Sequence, residues 1–201
     1  MSHLHGYLTF VGGQTLDRSL TSAFAFSGEW RTKLTQFNTT VYAVPSPPQV
    51  ASAFVLQHLL SIPAQIAAFA AVSGPWTAEL GTLEESPLSC ELAPGLYPQR
   101  LGFVSVTPTD GELDARLIGA RSAYRTLGRD IANAYDGGVR MSSLQRLGMV
   151  DDLWEMAARE ARGAIGVGLG PAVERSSCCF IFALPGCHEC AGCPRLSTTP
   201  E

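Results

Sequence analysis

The sequence predicts a predominantly α-helical α+β fold, in which a helical body carries a small antiparallel strand region and a C-terminal cysteine-rich loop. Three observations predict this fold. Apolar residues recur at helical spacing in three long segments, and β-branched and aromatic residues concentrate in a few short ones. Five of the six cysteines lie within the last 24 residues. With 201 residues, of which 46% are hydrophobic, the chain is long enough for one full core.

The three predicted helices cover residues 49–72, 112–135 and 142–163. The second has the clearest pattern, because apolar residues from Leu113 to Ile131 recur at steps of three and four. Ser142 or Ser143 is a suitable N-cap for the third helix. The first is apolar enough to cross a membrane, but polar residues interrupt it, so we expect a buried helix that breaks near Pro63.

Short strands are predicted at residues 39–44 and within residues 76–107. The first segment reads TTVYAV, which is rich in β-branched and aromatic residues, and a proline-rich turn follows it. Residues 88–92 and 101–107 have alternating or β-branched patterns on either side of a Pro-Gly turn. These strands form the small antiparallel region of the predicted fold.

The charge of the chain and its N-terminus limit the function classes. The net charge is only −4, so no strong positive field indicates a nucleic-acid partner, and we expect none. The first ten residues lack the charged and apolar regions of a signal peptide, so we expect a cytosolic protein. In that reducing compartment, clustered cysteines more often bind metal or carry out redox chemistry than form structural disulfides.

The cysteines form the pattern Cys178-Cys179, ten intervening residues, then Cys190-x-x-Cys193. Four thiolates suit either Zn²⁺ or an iron–sulfur cluster. Adjacent cysteines in an extended chain point to opposite faces, so both can ligate only if the chain turns there or if they reach two metal atoms. This pattern favours an iron–sulfur cluster and leaves zinc as the alternative.

The residues around these cysteines resemble the C-terminal region of the FhuF-like siderophore-iron reductases. The similarity is strong over residues 175–195, which contain RSSCCFIFALPG and CAGCPR, and weaker over 140–161 and 47–71. The resemblance implies that Cys178, Cys179, Cys190 and Cys193 bind a [2Fe-2S] cluster, which passes one electron to a ferric siderophore. It further implies a substrate-binding body over residues 1–170 and a [2Fe-2S]-binding segment over residues 171–201.

Two residues inside the ten-residue loop depart from the family pattern. Cys187 is an extra thiol, which we expect to be a spectator because the spacing of the family is complete without it. The alternative is a ligand in a Cys187-x-x-Cys190 arrangement. His188 is expected to be a loop histidine, with ligation of the cluster as its alternative.

Arg121, Arg125 and Arg129 are spaced to line one stripe of the second long helix. They are candidates for holding an anionic ferric siderophore, an acidic electron donor or a membrane surface, and the alternative is a solvated helix face. Asp151 and Asp152 follow on the third helix, where we expect an exposed acidic pair near the N-terminal turns.

The leading functional hypothesis is an iron–sulfur oxidoreductase that reduces Fe(III)-siderophore by one electron and releases Fe(II) in the cytosol. The chain has no credible nucleotide-binding or hydrolase motif, so an external donor such as a ferredoxin or a flavin reductase would supply the electron. One alternative is a [2Fe-2S] electron-relay or redox-sensing protein without substrate turnover, and another is a structural zinc-binding domain. Peripheral contact with the cytoplasmic face of the inner membrane stays open.

Overall fold

The computed structural model describes residues 8–169, 172–190 and 192–196, which contain five α-helices and six β-strands. The helices are α1 (Leu20–Ala25), α2 (Ser27–Tyr42), α3 (Pro48–Ser73), α4 (Leu113–Ala134) and α5 (Ser143–Ala164). The strands are β1 (Thr9–Gly12), β2 (Arg18–Ser19), β3 (Trp76–Ala78), β4 (Ser89–Leu92), β5 (Pro98–Phe103) and β6 (Val106–Pro108). The predicted fold class is confirmed.

Helix α3 is the centre of the fold. Nearly every residue between Val50 and Val72 is buried, because α2, α4, α5 and the strands pack around it. A helix that is apolar on all sides is typical of the core of a protein. Among the described residues, α3 is the one helix long and apolar enough to cross a membrane, and 78% of its most apolar window is buried inside the protein.

The expected break at Pro63 does not occur, because α3 continues through this residue to Ser73. A proline inside a helix removes one backbone hydrogen bond and costs about 3 kcal/mol. The side chains of α3 are buried against its neighbours both before and after Pro63, and this burial offsets the cost. Pro48, by contrast, lies in the first turn, where the fixed φ of proline suits a helix start.

The strand predicted at residues 39–44 is wrong, because most of this segment is the last turn of α2. Trp30, Leu34 and Asn38 are buried at steps of four residues, which defines a helical face against α3. That face extends the helix into the β-branched segment. The hydroxyl of Thr40 donates to the carbonyl of Gln36 at 3.0 Å, as threonine does within a helix.

The strands form two small sheets. β1, β5, β4 and β2 lie side by side in this order, and β3 pairs with β6. The pairs β4–β5 and β3–β6 are antiparallel as predicted. β1 and β2 lie outside the predicted strand segments; β2 runs antiparallel to β4, and β1 runs parallel to β5. The larger sheet packs on α3 through Phe10, whose ring centroid lies 4.8 Å from that of Phe69.

Helices α4 and α5 have the bounds predicted for them to within one or two residues. The hydroxyl of Ser142 accepts a hydrogen bond from the backbone of Gln145 and so caps α5, as expected. Tyr124 of α4 stacks on Trp154 of α5 and donates to the carbonyl of Val150 at 3.1 Å. These contacts, together with the packing of both helices on α3, fix the orientation of α5.

The predicted boundary between a body and a C-terminal segment falls at residues 170 and 171, which lie outside the described residues. Residues 172–190 and 192–196 form turns and loops, with one short 3-10 turn at Ile181–Ala183. This part of the chain returns to α5, and Phe180 packs against the main core.

We expect His58 of α3 to make stability depend on pH. His58 stacks on Trp30 with ring centroids 5.6 Å apart, and burial lowers the pKa of His58 to about 4. The unfolded chain, with an ordinary histidine pKa near ~6.5, then binds more protons than the folded protein between these two values. Stability therefore falls as the pH drops from 6.5 toward 4. His58→Phe keeps the stacking and removes this dependence.

Urea unfolding of the wild type and of His58→Phe at pH 7 and pH 4.5 checks the expectation. The wild type should lose about 2 kcal/mol more than the variant over this interval. Equal losses in the two proteins would contradict it.

Candidate metal centre

The four predicted ligands come together as two pairs of thiols. The sulfur atoms of Cys179 and Cys190 lie 3.9 Å apart. Besides burial, the neighbouring Cys179 and Cys193 thiols contribute to the raised pKa of Cys178, so Cys193 lies near Cys178. Two thiolates bound to one tetrahedral metal at ~2.3 Å stand about 3.8 Å apart, so the first pair already has a suitable separation. Burial raises the pKa of the Cys178 thiol, so metal binding there must displace a proton.

The chain turns directly after the vicinal cysteines. Phe180 has a left-handed backbone with φ of 60°, and its N–H donates to the sulfur of Cys178 at 3.4 Å. The 3-10 turn Ile181–Ala183 follows. The turn places both adjacent thiols within reach of the second cysteine pair. In an extended strand the two side chains would point to opposite faces and could not both reach it.

The second pair of cysteines is formed by a tight loop that packs on its own entry segment. The N–H of Cys193 donates to the carbonyl of Cys190 at 2.9 Å and closes the loop. Gly192 has φ of 72°, and a Cβ at this position would overlap the carbonyl oxygen of Val173. Arg175 also donates its backbone N–H to the carbonyl of Gly192 at 2.9 Å. The glycine is therefore needed for close backbone packing.

The carboxylate of Asp152 holds the segment that enters the cysteine loop. One oxygen accepts from the N–H and hydroxyl of Ser176, and the other from the N–H and hydroxyl of Ser177, at 2.5 to 3.0 Å. Asp152 is only 4% exposed, so the predicted exposed acidic pair is wrong for this residue. Asp151, one position along the helix, faces Arg125 instead. The two carboxylates differ because successive helical residues point about 100° apart.

Two more residues of α5 contact the cysteine segment on the same side as Asp152. The side-chain amide of Gln145 donates to the carbonyl of Cys178 at 3.0 Å. Gly148 lies under Ser176, whose hydroxyl would be too close to a Cβ at this position. Gln145, Gly148 and Asp152 are spaced by three and four residues and therefore share a face of the helix.

Arg175 connects this anchor to the thiols. Its Nη1 donates to the sulfur of Cys190 at 3.5 Å, and its Nε lies 3.8 Å from a carboxylate oxygen of Asp152. The side chain is 8% exposed, so its positive charge acts at low screening. A buried cation that donates to a ligand sulfur stabilises negative charge on the metal centre.

The other two candidate ligands in the loop, Cys187 and His188, lie in different surroundings. The thiol of Cys187 contacts the hydroxyl of Tyr42 at the end of α2, at 3.4 Å. This hydrogen bond raises the pKa of Tyr42. His188 is exposed. The spectator role expected for Cys187 stays a prediction.

The predicted arginine stripe lies on α4 and is largely paired with α5. Arg121 forms an ion pair with Glu155 at 2.8 Å, and Arg125 forms one with Asp151 at 3.1 Å. Arg129 is exposed. Two of the three predicted substrate-binding charges are thus neutralised within the protein, and their assignment stays a prediction.

Comparison with known families identifies the cysteine segment. Residues 175–195 match the family model described as the FhuF 2Fe-2S C-terminal domain. This domain binds a [2Fe-2S] cluster, so the predicted resemblance and cofactor are confirmed for the segment. Neither the curated proteins nor the solved structures contain a match to the chain.

The donor set of this FhuF-type segment fits the cluster. Within the described residues, no group of three or more His, Cys, Asp or Glu side chains surrounds a point suited to one metal ion. Four cysteines are the usual ligand set of a [2Fe-2S] cluster, and two of them, Cys179 and Cys190, already lie 3.9 Å apart. The individual ligands Cys178, Cys179, Cys190 and Cys193 stay a prediction that this arrangement supports.

The sequence reasoning missed Asp152, Gln145 and Arg175 as parts of the site. Its helix pattern for α5 included only the apolar face that packs on α3 and α4. A signal was present, because polar residues recur at positions 145, 152 and 159 at helical spacing. Adjacent serines before a cysteine pair also provide several donors for a carboxylate.

Removal of the Asp152 charge should loosen the FhuF-type segment. In Asp152→Asn the amide presents a donor to Ser176 or Ser177 and leaves Arg175 as a buried unpaired cation, which together cost about 3 kcal/mol. We expect faster loss of the visible cluster absorbance on addition of an iron chelator and a lower unfolding temperature. Asp151→Asn is the matched control and should change stability by about 0.5 kcal/mol or less. Equal behaviour of the two variants would show that Asp152 is not the anchor.

Substitution of Cys187 should leave the cluster in place. Cys187→Ser keeps a hydroxyl that can contact Tyr42, so we expect the absorption spectrum and iron content of the wild type. Cys190→Ser, three residues further on, should lose most of both. A spectrum lost in Cys187→Ser would assign Cys187 as a ligand.

Proposed function

We propose that the protein is an iron–sulfur oxidoreductase that reduces an Fe(III)-siderophore by one electron and releases Fe(II) in the cytosol. The observation that carries the proposal is the FhuF-type segment at residues 175–195, which contains all four predicted ligands. At the coarser level that this match supports, the chain is an iron–sulfur protein resembling ferric siderophore reductases.

The reaction transfers one electron and changes no covalent bond of the chelator. A [2Fe-2S] cluster, when bound, supplies a one-electron reductant. Fe³⁺ is a hard ion that oxygen donors hold tightly, whereas Fe²⁺ is held far less tightly by the same donors. The gain of one electron therefore weakens the coordination bonds and releases the metal. The electron comes from an external donor of the ferredoxin or flavin-reductase class, which we propose as the second partner.

The protein's own residues supply position and charge. Asp152 and the serines 176 and 177 fix the cysteine segment on α5, so that the thiols are held in one arrangement. Arg175 donates to the sulfur of Cys190 and favours the more negative state of the centre. Cys190 itself is only partly buried, so part of this residue is in contact with solvent.

The test is release of Fe²⁺ by purified protein whose cluster has been reduced. Mixed with a ferric hydroxamate and a chromogenic Fe²⁺ chelator, the wild type should form the coloured Fe²⁺ complex in proportion to the electrons supplied. The variant with serine at positions 178, 179, 190 and 193 should do so only at the background rate, and Cys187→Ser should match the wild type. Release of Fe²⁺ no faster than this background would contradict the reductase proposal and favour the electron-relay or sensing role.

A further inference from the structure

A groove lies between α5 and the segment that leads into the cysteine loop. Its main cavity has a volume of about 450 Å³, and a second cavity of about 370 Å³ adjoins it. The two share lining residues on both sides of the groove: Arg159, Leu169, Ala172 and Val173. We refer to both cavities together as the α5 groove. Volumes of this size are typical of small-molecule sites.

The α5 groove reaches a predicted cluster ligand. Cys190 lines its main cavity, together with Arg175 and Met156. A molecule in the groove would therefore contact the residue whose sulfur lies 3.9 Å from that of Cys179. Close contact between reactants is the condition for efficient transfer of an electron between them.

Arg175 carries donors that the rest of the protein does not satisfy. Its side chain is 8% exposed, and neither Nε nor Nη2 has a hydrogen-bond partner among the described residues. Asp152 does not supply one, since its two oxygens already accept four hydrogen bonds from the serines. Both atoms are shielded from solvent, so Arg175 acts on an anion in the groove through its positive charge and not through these donors.

The remaining walls suit a chelate with charged oxygens and aliphatic linkers. Arg159 adds a second guanidinium, while Glu160 is held by the amide of Gln65 at 2.6 Å. The main cavity thus has two arginines and one carboxylate, and the adjoining cavity adds Arg162, Glu155 and Glu174. Apolar side chains complete it: Met156, Leu169, Ala172 and Val173.

Two other cavities are less suited to such a ligand. The cavity along the arginine stripe, of about 320 Å³, is lined by Arg121 and Arg125, whose charges are paired with α5 carboxylates, and by the exposed Arg129. The cavity between α2 and β4, of about 420 Å³, has three carboxylates against two basic groups in its lining. Neither cavity is lined by a cysteine.

We propose that the α5 groove is the docking site of the ferric chelate, an Fe³⁺ complex of anionic oxygen donors, and that the buried positive charge of Arg175 attracts these oxygens. The proposal rests on the proposed function for the identity of the ligand. It replaces the arginine stripe as the place where the substrate binds. The groove brings the chelated iron against Cys190, while the stripe lies on the α4 side of α5.

The experiment measures binding separately from reduction. The Ga³⁺ complex of a hydroxamate chelator has the charge and shape of the ferric complex but accepts no electron under these conditions. Its affinity for the cluster-loaded protein is measured by calorimetry. Ala172→Trp fills the groove from an exposed position and should weaken this affinity at least tenfold. Ser122→Trp fills the stripe cavity from a position that is also exposed and should leave the affinity unchanged.

A second pair of variants tests charge without adding bulk. Arg159→Glu should weaken binding of the Ga³⁺ complex of an anionic chelator several-fold and reduce its dependence on salt. Arg129→Glu, on the stripe, should do neither. All four variants should keep the visible spectrum of the wild type, which shows that the cluster loop is intact.

The outcomes separate this proposal from the proposed function. If the wild type binds the Ga³⁺ complex and Ala172→Trp does not, the docking site is supported even when no Fe²⁺ is released. If the wild type does not bind, or if both groove variants bind as it does, the docking site is wrong whatever the rate of Fe²⁺ release. If only Ser122→Trp and Arg129→Glu weaken binding, the chelate binds at the arginine stripe and not in the α5 groove.

Discussion

The candidate metal centre depends on the hydrogen bonds that the buried carboxylate of Asp152 accepts. This carboxylate accepts four hydrogen bonds from two adjacent serines that directly precede the vicinal cysteines. Hydrogen bonds to an ionised acceptor are roughly twice as strong as those between neutral groups. A buried anion also tolerates few alternative arrangements, because each one would leave it unsatisfied. The loop has few regular elements of its own, so its position comes from this anchor.

The anchor is effective because α5 is itself rigidly held. One face of the helix packs on α3 and α4 through Trp154 and Ala157, which are buried in the main core. Another face carries Gln145 and Asp152, which contact the cysteine segment. The apolar helix α3 therefore supports the site indirectly, because α3 fixes α5 and α5 in turn fixes the cysteine loop. Sites supported by regular elements are held more closely than sites on free loops.

Charge is organised differently on the two sides of α5. Toward α4, Asp151 and Glu155 neutralise arginines in exposed ion pairs, which contribute little to stability. Toward the cysteines, Arg175 is buried between the carboxylate of Asp152 and the sulfur of Cys190. Hydrogen bonds to sulfur and restricted solvent access are the means by which a protein adjusts an iron–sulfur centre. The side of α5 that faces the cysteines therefore carries the charges that act on the candidate metal centre. The side that faces α4 has the more conspicuous charge pattern in the sequence.

The sequence by itself determined the long helices, the cysteine spacing and the family of the C-terminal segment. These features repeat over many residues or depend on covalent spacing, so local information is sufficient for them. Only the tertiary structure decided that residues 39–42 are helical, that Asp152 is buried while Asp151 is not, and that Cys179 stands beside Cys190. Each of these depends on contacts between residues far apart in the chain. A short β-prone segment yields to a buried helical face, and the role of a carboxylate depends on what packs against its side of the helix.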